Sequence, residues 1–486
     1  MTAPTPTPVA PRTTEAPRIR LLTTDEQRTV NTLVAQLVAK APRNRLRSGF
    51  YDMKNAVRDL GISTPPSMQQ VNHVLGWSAK AVDILNRRCP LDGFVMPTNR
   101  SDDDFGVGQI WTDNYLDVEA SQAGLSSLIH ATAFLIAHQG DPDDDEPAVV
   151  ITAKDAMSGT GEWSAKKRKL TSFLSVIETD GENQLTHFVL YLPNVNVICR
   201  RVGRSWDVER REHVYGLPVE PLVYQPRLGR PFGSSRISRS VMSLHQAAVR
   251  SFRRSEATAE FYAATRVILL GVGEEAFAGA GGTKWKAALD VMFGLPDVDD
   301  AQAPNGGRAG VEQIAQASQQ PHLDQLRSLA QLFAGETNIP LSSLGISGDA
   351  NPTSEGAYDA GRDDLYAEAE GTTAAWSPAW GRTMLRGVAM RNGWAPDEIP
   401  DEAKSLQPKW RDPRTPSRAA AADAAVKTLS VFPWLGETRE GMELFGFDEQ
   451  FITRAMIAKR AVNGRATLAR IFTPPQPVTG DKPTGS

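Results

Sequence analysis

Val71, Val74, Leu75, Val82 and Leu85 recur at helical spacing, and Pro90 stands where a helix must stop, which predicts a helix across 71–89. A second apolar run predicts a helix across 115–138, closed by Gly140-Asp141-Pro142 and an acidic stretch, 143–146, that reads as a solvated loop. From 148 to 224 the period changes. LTSFLSVIETD, LTHFVLYL and VNVICRRV are rich in β-branched and aromatic residues with turn residues between them, which predicts an antiparallel sheet. Asp180-Gly181 is a pair of the kind that closes a hairpin, within a loop that has room for more than two residues.

After Pro231-Phe232-Gly233 a long helix is predicted to about Ala264. Ile237, Val241, Leu244, Ala248 and Phe252 form its apolar stripe, with Arg239, Arg250, Arg253 and Arg254 largely elsewhere. RVILLG, 266–271, reads as a short strand, 279–282 as a Gly-rich loop, 285–293 as a short helix and 304–310 as another break. From Pro321, Leu323, Leu326, Leu329, Ala330 and Phe333 give a second apolar helical face, stopped by Asn338-Ile339-Pro340. A small-residue loop around Gly345 and Gly348 then leads into a helix predicted from Pro352 to Arg391. Asn351 is its N-cap, Pro352 its first residue, and Glu355 lies near its positive end. Tyr358, Leu365, Trp376, Trp380, Met384 and Val388 keep its spacing, and Pro378 predicts a kink. An alanine-rich helix, 417–429, and one or two more complete the pattern to Phe472.

Composition adds bounds. A chain of 486 residues, 41% hydrophobic and 23% charged, is that of a soluble globular protein of two to four packed units. The Thr/Pro-rich start, 1–18, and the end, 473–486, read as solvated arms, the first without the apolar core a signal peptide needs. Nothing approaches the ~18 consecutive apolar residues of a membrane span; the most apolar helical candidate, 125–138, is broken by Ser, His and Thr. Cys89 and Cys199 are the only cysteines, which excludes a disulfide framework and a four-cysteine zinc site and predicts two buried thiols in a reducing compartment.

Motifs for chemistry are missing. GAGGTKW, 279–285, lacks the hydroxyl residue that must follow the lysine of a phosphate loop and reads as an ordinary loop. Asp141, Asp143 and Asp145 begin a calcium-loop alternation without its glycine and glutamate, and Asp102 to Asp104 read as solvated carboxylates. His130 and His138, eight apart on the predicted helix, cannot form an i, i+4 metal pair, and neither a GxSxG elbow nor a cysteine-nucleophile signature occurs. No catalytic, cofactor or metal residue is assigned.

Charge is more telling. The net charge of −4 argues against general polycation-type DNA binding, yet 200–266 holds thirteen arginines against six acids. Arginine pairs bidentately with carboxylate or phosphate, so these residues read as inter-subunit partners of acids such as Asp359, Asp363, Asp364, Glu368 and Glu370, or as DNA-backbone contacts, the first favoured for most. Lys166 to Lys169 read as a solvated face.

The order of elements resembles the portal proteins of tailed bacteriophages, especially the group similar to the portal of a Bacillus siphophage and its actinobacteriophage relatives. The match is carried by Leu75-Gly76-Trp77, Val82-Asp83, Leu91-Asp92-Gly93-Phe94, Trp111, Asn114 and Leu116-Asp117, then by Arg230-Pro231-Phe232-Gly233-Ser234-Ser235. It continues through Ile339-Pro340, Leu344-Gly345, Asn351-Pro352-Thr353-Ser354 and Trp410-Arg411-Asp412-Pro413. Gly356 departs from it, where relatives carry a better helix former.

The resemblance implies an α+β portal fold. Disordered arms occupy 1–20 and 473–486, an α/β wing 21–232, stem helices 233–264 and 321–337, and a clip 265–320. A tunnel loop follows at 338–351, then a kinked helix with wing return at 352–413 and a helical crown at 414–472. It implies a homo-oligomeric ring of about twelve copies as the channel for DNA packaging and ejection. The tunnel loop, Leu341, Ser342, Ser343, Leu344, Gly345, Ile346, Ser347, Gly348 and Asp349, would face DNA, and Arg236, Arg239, Arg250, Arg253 and Arg254 would be stem residues at subunit contacts or facing DNA. Implied partners are the terminase large subunit, the major capsid and scaffolding proteins, head-completion or adaptor proteins and the double-stranded DNA in transit, with no membrane and no cofactor. The implied place is a capsid vertex of the virion, after synthesis in the bacterial host cytoplasm, with no enzymatic activity. Two other readings are a metal-dependent nucleic-acid-processing enzyme built on 102–104 and 141–145, and a DNA-binding module using 200–266.

Overall fold

The computed structural model describes residues 11, 15–55, 73–96, 105–141, 145–263, 267–270, 292–295, 310–313, 318–346, 361–414, 418–447 and 449–472. They form two compact units that divide between Pro413 and Arg414.

The first unit opens with α1 (Thr24–Tyr51), a helix the apolar spacing above did not identify. Its start is a capping box: Thr23 Oγ1 accepts from the Glu26 amide, and the Glu26 carboxylate accepts from the Thr23 amide. Val30, Leu33, Val34, Leu37 and Ala41 are buried against Leu174, Val176, Phe188, Leu190, Val197 and Cys199. Those side chains belong to one face of a five-stranded antiparallel meander: β4 (Gly159–Ser164), β5 (Lys169–Thr179), β6 (Leu185–Leu192), β7 (Val195–Val202) and β8 (Ser205–Glu212). Sequence patterning anticipates antiparallel pairing here, including the hairpin loop longer than two residues between Thr179 and Leu185. The single sheet expected across 148–224 is corrected, since 149–155 and 219–223 pair in a separate sheet.

A smaller sheet has the order β3-β2-β9, with β2 (Thr132–Gln139) central between β3 (Val149–Asp155) and β9 (Val219–Val223). Here the predicted helix across 115–138 is corrected. Helix α4 (Leu116–His130), preceded by α2 (Trp77–Asn86) and α3 (Val107–Asp113), ends at Ala131, whose φ is +84°, and the chain continues as a strand. Residues 132–137 are all buried and 133–137 are all apolar, a run that carries no period to separate strand from helix. His130 and His138 therefore sit on different elements. The helix predicted across 71–89 likewise begins only at Trp77, because Gly76 adopts a non-helical conformation ahead of it.

Helix α5 (Arg239–Ala263) leads to a three-stranded sheet of order β11-β10-β12, in which β10 (Val267–Leu270) pairs parallel with β11 (Met292–Leu295) and antiparallel with β12 (Gly310–Gln313). Met292 and Phe293, predicted helical, are strand residues because their backbones pair with Val267 and Ile268. Helix α6 (Gln320–Thr337) returns, a 3-10 turn spans Leu341–Leu344, and α7 (Asp363–Asn392) is the longest helix described. It starts later than predicted: Gly361 and Arg362 form a turn, and Pro378 lies inside the unbroken helix. Leu365, Ala369, Trp376, Trp380, Met384 and Val388 make α7 the spine of the main core, against which β2, β9, α2 and α4 pack. After α8 (Asp401–Lys404), β13 (Gln407–Trp410) pairs antiparallel with β1 (Leu91–Val95), and Trp410 Nε1 donates to Ser377 Oγ at 2.8 Å.

The second unit holds α9 (Arg418–Val431), a 3-10 turn at Pro433–Glu437, α10 (Arg439–Leu444) and α11 (Glu449–Phe472). Val431, Phe432, Trp434 and Ile457 are among its large side chains that remain exposed. Among the described residues, no helix is long and apolar enough to cross a membrane.

Candidate functional site

The root of the α5–α6 pair is built by a tight reversal after β9. Gly233 has φ +66°, and a Cβ there would lie 2.0 Å from the Tyr224 carbonyl oxygen, so only glycine fits. The next residues fasten to the end of α4: Ser235 Oγ donates to the Ile129 carbonyl at 2.6 Å, and the Arg236 amide donates to the Leu128 carbonyl at 2.9 Å.

This delivers Arg236 into the interior, with its side chain only 3% exposed. Nε donates to the Ala81 carbonyl in α2 at 2.5 Å, and Nη2 to the Thr337 carbonyl at the end of α6 at 2.6 Å. Nη1 pairs with the Glu368 carboxylate of α7 and reaches Tyr224 Oη at 3.2 Å. Tyr224 Oη also donates to Glu368, and Asn338 Nδ2 donates to Glu368 Oε2 at 3.2 Å. Burial, then the adjoining carboxylate, push the Tyr224 phenol above its ordinary range, so it stays a donor. One guanidinium thus ties α2, the end of α6, the strand edge and α7 together. Burial of this depth needs such pairing, since an unpartnered charge here would be very costly.

Between α5 and α6 the contacts are small and polar as well as apolar. Ser251 Oγ donates to Gln325 Oε1 at 3.1 Å, Thr258 Oγ1 meets His322 Nε2 at 3.2 Å, and Ser240 pairs with Glu336. Near the root, His245 is buried, edge-on to Phe50 and bonded through Nδ1 to Ser78 Oγ at 2.9 Å. Burial lowers its imidazole to about 4, so it is neutral.

The turn after α6 is packed. Ile339 and Leu344 are buried, Leu341 and Ile346 lean on the main core, and Lys80 Nζ donates to the Ser343 carbonyl at 2.8 Å. Gly345 caps the turn at φ +79° with nothing within 4 Å of a Cβ. Leu341–Leu344 is thus held down by two buried apolar anchors, Ile339 and Leu344, and by Lys80. Ser347, Gly348, Asp349, Asn351 and Pro352 lie outside the described residues, as do Gly356, Tyr358 and Asp359.

The five arginines separate. Arg236 is buried against partners of its own chain, with Glu368 taken up by the same contact, so neither is presented to a neighbour or to DNA. Arg253 is buried too, Arg250 and Arg254 are half-buried, and Arg239 is exposed. Asp363 and Asp364 are exposed in the first turn of α7. The sequence signal for the Arg236 network was a carboxylate at 368, beside the buried positions 365, 369 and 372 on a helix, opposite an arginine next to the buried Ile237. Tyr224 and the carbonyls of Ala81 and Thr337 gave no signal, because main-chain acceptors are the same in every residue.

Cys89 and Cys199 are both buried free thiols, each pushed up to about 12 by burial. Among the described residues, no group of three or more His, Cys, Asp or Glu is placed to hold a metal ion. Asp102 to Asp104 and Asp143 lie outside them.

A family model described as phage portal protein, SPP1 Gp6-like, matches residues 32–431. The portal protein of Mycobacterium phage D29 is 25% identical over 393 residues, covering 79% of this chain and 78% of its own. That of Mycobacterium phage L5 is 25% identical over 391 residues, covering 78% and 77%.

Proposed function

The chain belongs to the SPP1 Gp6-like family of phage portal proteins and has a portal function, and from that premise we propose how its residues perform it. The protein is a structural component of the capsid, at the vertex where head and tail connect. It acts in the virion as a closed ring of about twelve copies, each contact repeated around one axis. Double-stranded DNA passes along the axis, inward during packaging and outward at ejection. The terminase large subunit, scaffolding and major capsid proteins, and later head-completion proteins dock on the ring. Subunits are made in the host cytoplasm, and the protein catalyses nothing itself.

In this reading 21–232 is the wing, α5 and α6 are the stem, the strands between them belong to the clip, and 414–472 is the crown. Residues 338–351 approach DNA, with the packed part, Leu341–Leu344, as the base. The observation that supports this most is the Arg236–Glu368 clamp. It makes the stem root, the base of the loop and α7 one body, so that force applied to a loop tip reaches the stem without loss in a soft joint. A modest net charge of −4 suits a conduit, because a strongly basic lumen would hold a polyanion in place.

Electron microscopy of the purified protein tests the ring. A closed ring with a central channel is expected, and monomers alone at high concentration, with scaffolding and shell proteins supplied, refute it. Packaging tests the loop: Gly348→Pro should leave rings intact and lower the amount of DNA packaged, whereas unchanged packaging returns 347–351 to a connector.

A further inference from the structure

Two oppositely charged features lie at opposite ends of β2. At the end where Thr132 pairs with Val223, the chain leaves β9 and doubles back in a two-residue turn. Arg227 and Arg230 exchange both backbone hydrogen bonds, at 3.2 and 2.8 Å, and Leu228 at the tip is fully exposed. The cations around this finger crowd one another. Lys40 lies over the Phe232 ring at 5.1 Å, and Arg47 is lowered to about 10 by burial and by the charges of Arg43 and Arg230.

At the other end of β2, His138 and Gln139 border a groove of about 480 Å³ on the face of the meander turned away from α1. Its floor is apolar, with Ile177, Val189, Ile198 and Tyr191. Its walls carry five carboxylates, Asp141, Glu146, Asp207, Glu209 and Glu212, against two arginines, Arg200 and Arg211; Arg211 is already paired with Asp141 at 3.1 Å and with Glu209 at 2.5 Å, so the wall keeps an excess of three carboxylates. His187 and His213 also line it, both held toward the neutral form, first by burial, so they do not offset the acids at neutral pH. Seven residue steps of an antiparallel strand separate finger from groove by roughly 24 Å. A leucine flanked by two arginines matches an apolar floor walled by carboxylates. The separation along one strand keeps a finger out of its own groove and suits a head-to-tail contact between copies.

We propose that the Arg227–Arg230 finger of one subunit seats in the acidic groove of the next, Leu228 on the floor and the two arginines against the carboxylate walls. The proposal rests on the ring reading and names one of its contacts.

The test places Leu228→Cys and Ile198→Cys in one chain and applies a short thiol cross-linker to assembled particles, with the parent chain imaged alongside. A covalent ladder of oligomers on a denaturing gel, absent from either single variant, is expected; the native thiols are buried and add none. Rings without a ladder overturn the finger contact and leave the ring standing, whereas a parent chain that never forms rings overturns both. Charge reversal gives a second arm. Arg227→Glu with Arg230→Glu should raise the concentration needed for assembly about tenfold. Asp207→Arg with Glu212→Arg on the same chain, which leaves the Arg211–Glu209 pair intact, should restore most of it. Reversal without effect, or without restoration, overturns the proposal; circular dichroism of each variant checks that it is folded.

Discussion

Replacing Arg236 by methionine removes the guanidinium while keeping much of its apolar stem. The side chain is 3% exposed and its partner Glu368 14%, so the carboxylate left behind stays in the interior with Tyr224 and Asn338 as its remaining donors. Breaking one side of a buried pair costs about 3–5 kcal/mol. The Ala81 and Thr337 carbonyls also lose their donor, at about 1–3 kcal/mol each when no water replaces it. These losses share one site and do not add in full, so about 4 kcal/mol is the expected total, roughly a thousandfold in a local opening constant. A global melt is the wrong assay for a chain of two units, since its transition need not be two-state. Native-state hydrogen exchange is the right one, read at the amides of Leu341–Leu344, the end of α6 and the second turn of α7. Arg236→Met with Glu368→Leu removes the stranded charge and should recover roughly half, about 2 kcal/mol. An opening constant that moves less than tenfold in the single variant, or a double variant no better than the single, refutes the clamp.

Three further outcomes follow from the same geometry. Gly345→Ala should cost about 1 kcal/mol through its left-handed backbone alone, because the space beside it is open, and Gly345→Asn should cost less; equal exchange protection at Leu341–Leu344 in all three proteins would refute the cap. His245 is about 4 in the folded state against 6.5 unfolded, so its contribution is whole above about 6.5 and falls as pH drops toward 4, by up to roughly 3 kcal/mol. Native-state exchange protection at the α5 amides around His245 should therefore fall more steeply across that window for the parent than for His245→Phe, and parallel curves would sink the assignment. Cys89 and Cys199 should both resist a thiol reagent at neutral pH in the native protein and both react in denaturant; a native thiol reacting at the free rate contradicts their burial.

Patterning made the meander and α6 legible, because each has one buried face and therefore a clear period, whereas α9 was legible from its alanine content. It failed at β2, where 132–137 is buried on both faces and period vanishes, and at α1, which holds Pro42 within the helix and polar Glu26 and Asn44 on its buried face. The packing of the 3-10 turn through Leu341 and Leu344 had no sequence signal, because four residues are too few to show a period. At the site, residue type drew attention to Arg236 and Glu368 separately, and the backbone places them together, 132 positions apart in sequence. Acceptors such as the Thr337 carbonyl have no side-chain signature, so the clamp's full set of partners could be seen only once the chain was folded.

Arg236 touches four elements, but two of its acceptors are main-chain carbonyls. Substitution at 81 or 337 that preserves the helices leaves those bonds in place, whereas Arg236 and Glu368 must be kept or exchanged as a pair. The mechanical joint of the molecule is therefore encoded at few positions, and the surrounding sequence is free to diverge while the joint persists. Sequence drift and mechanical constancy are compatible here because the backbone, which mutation does not rewrite, supplies half of the contacts.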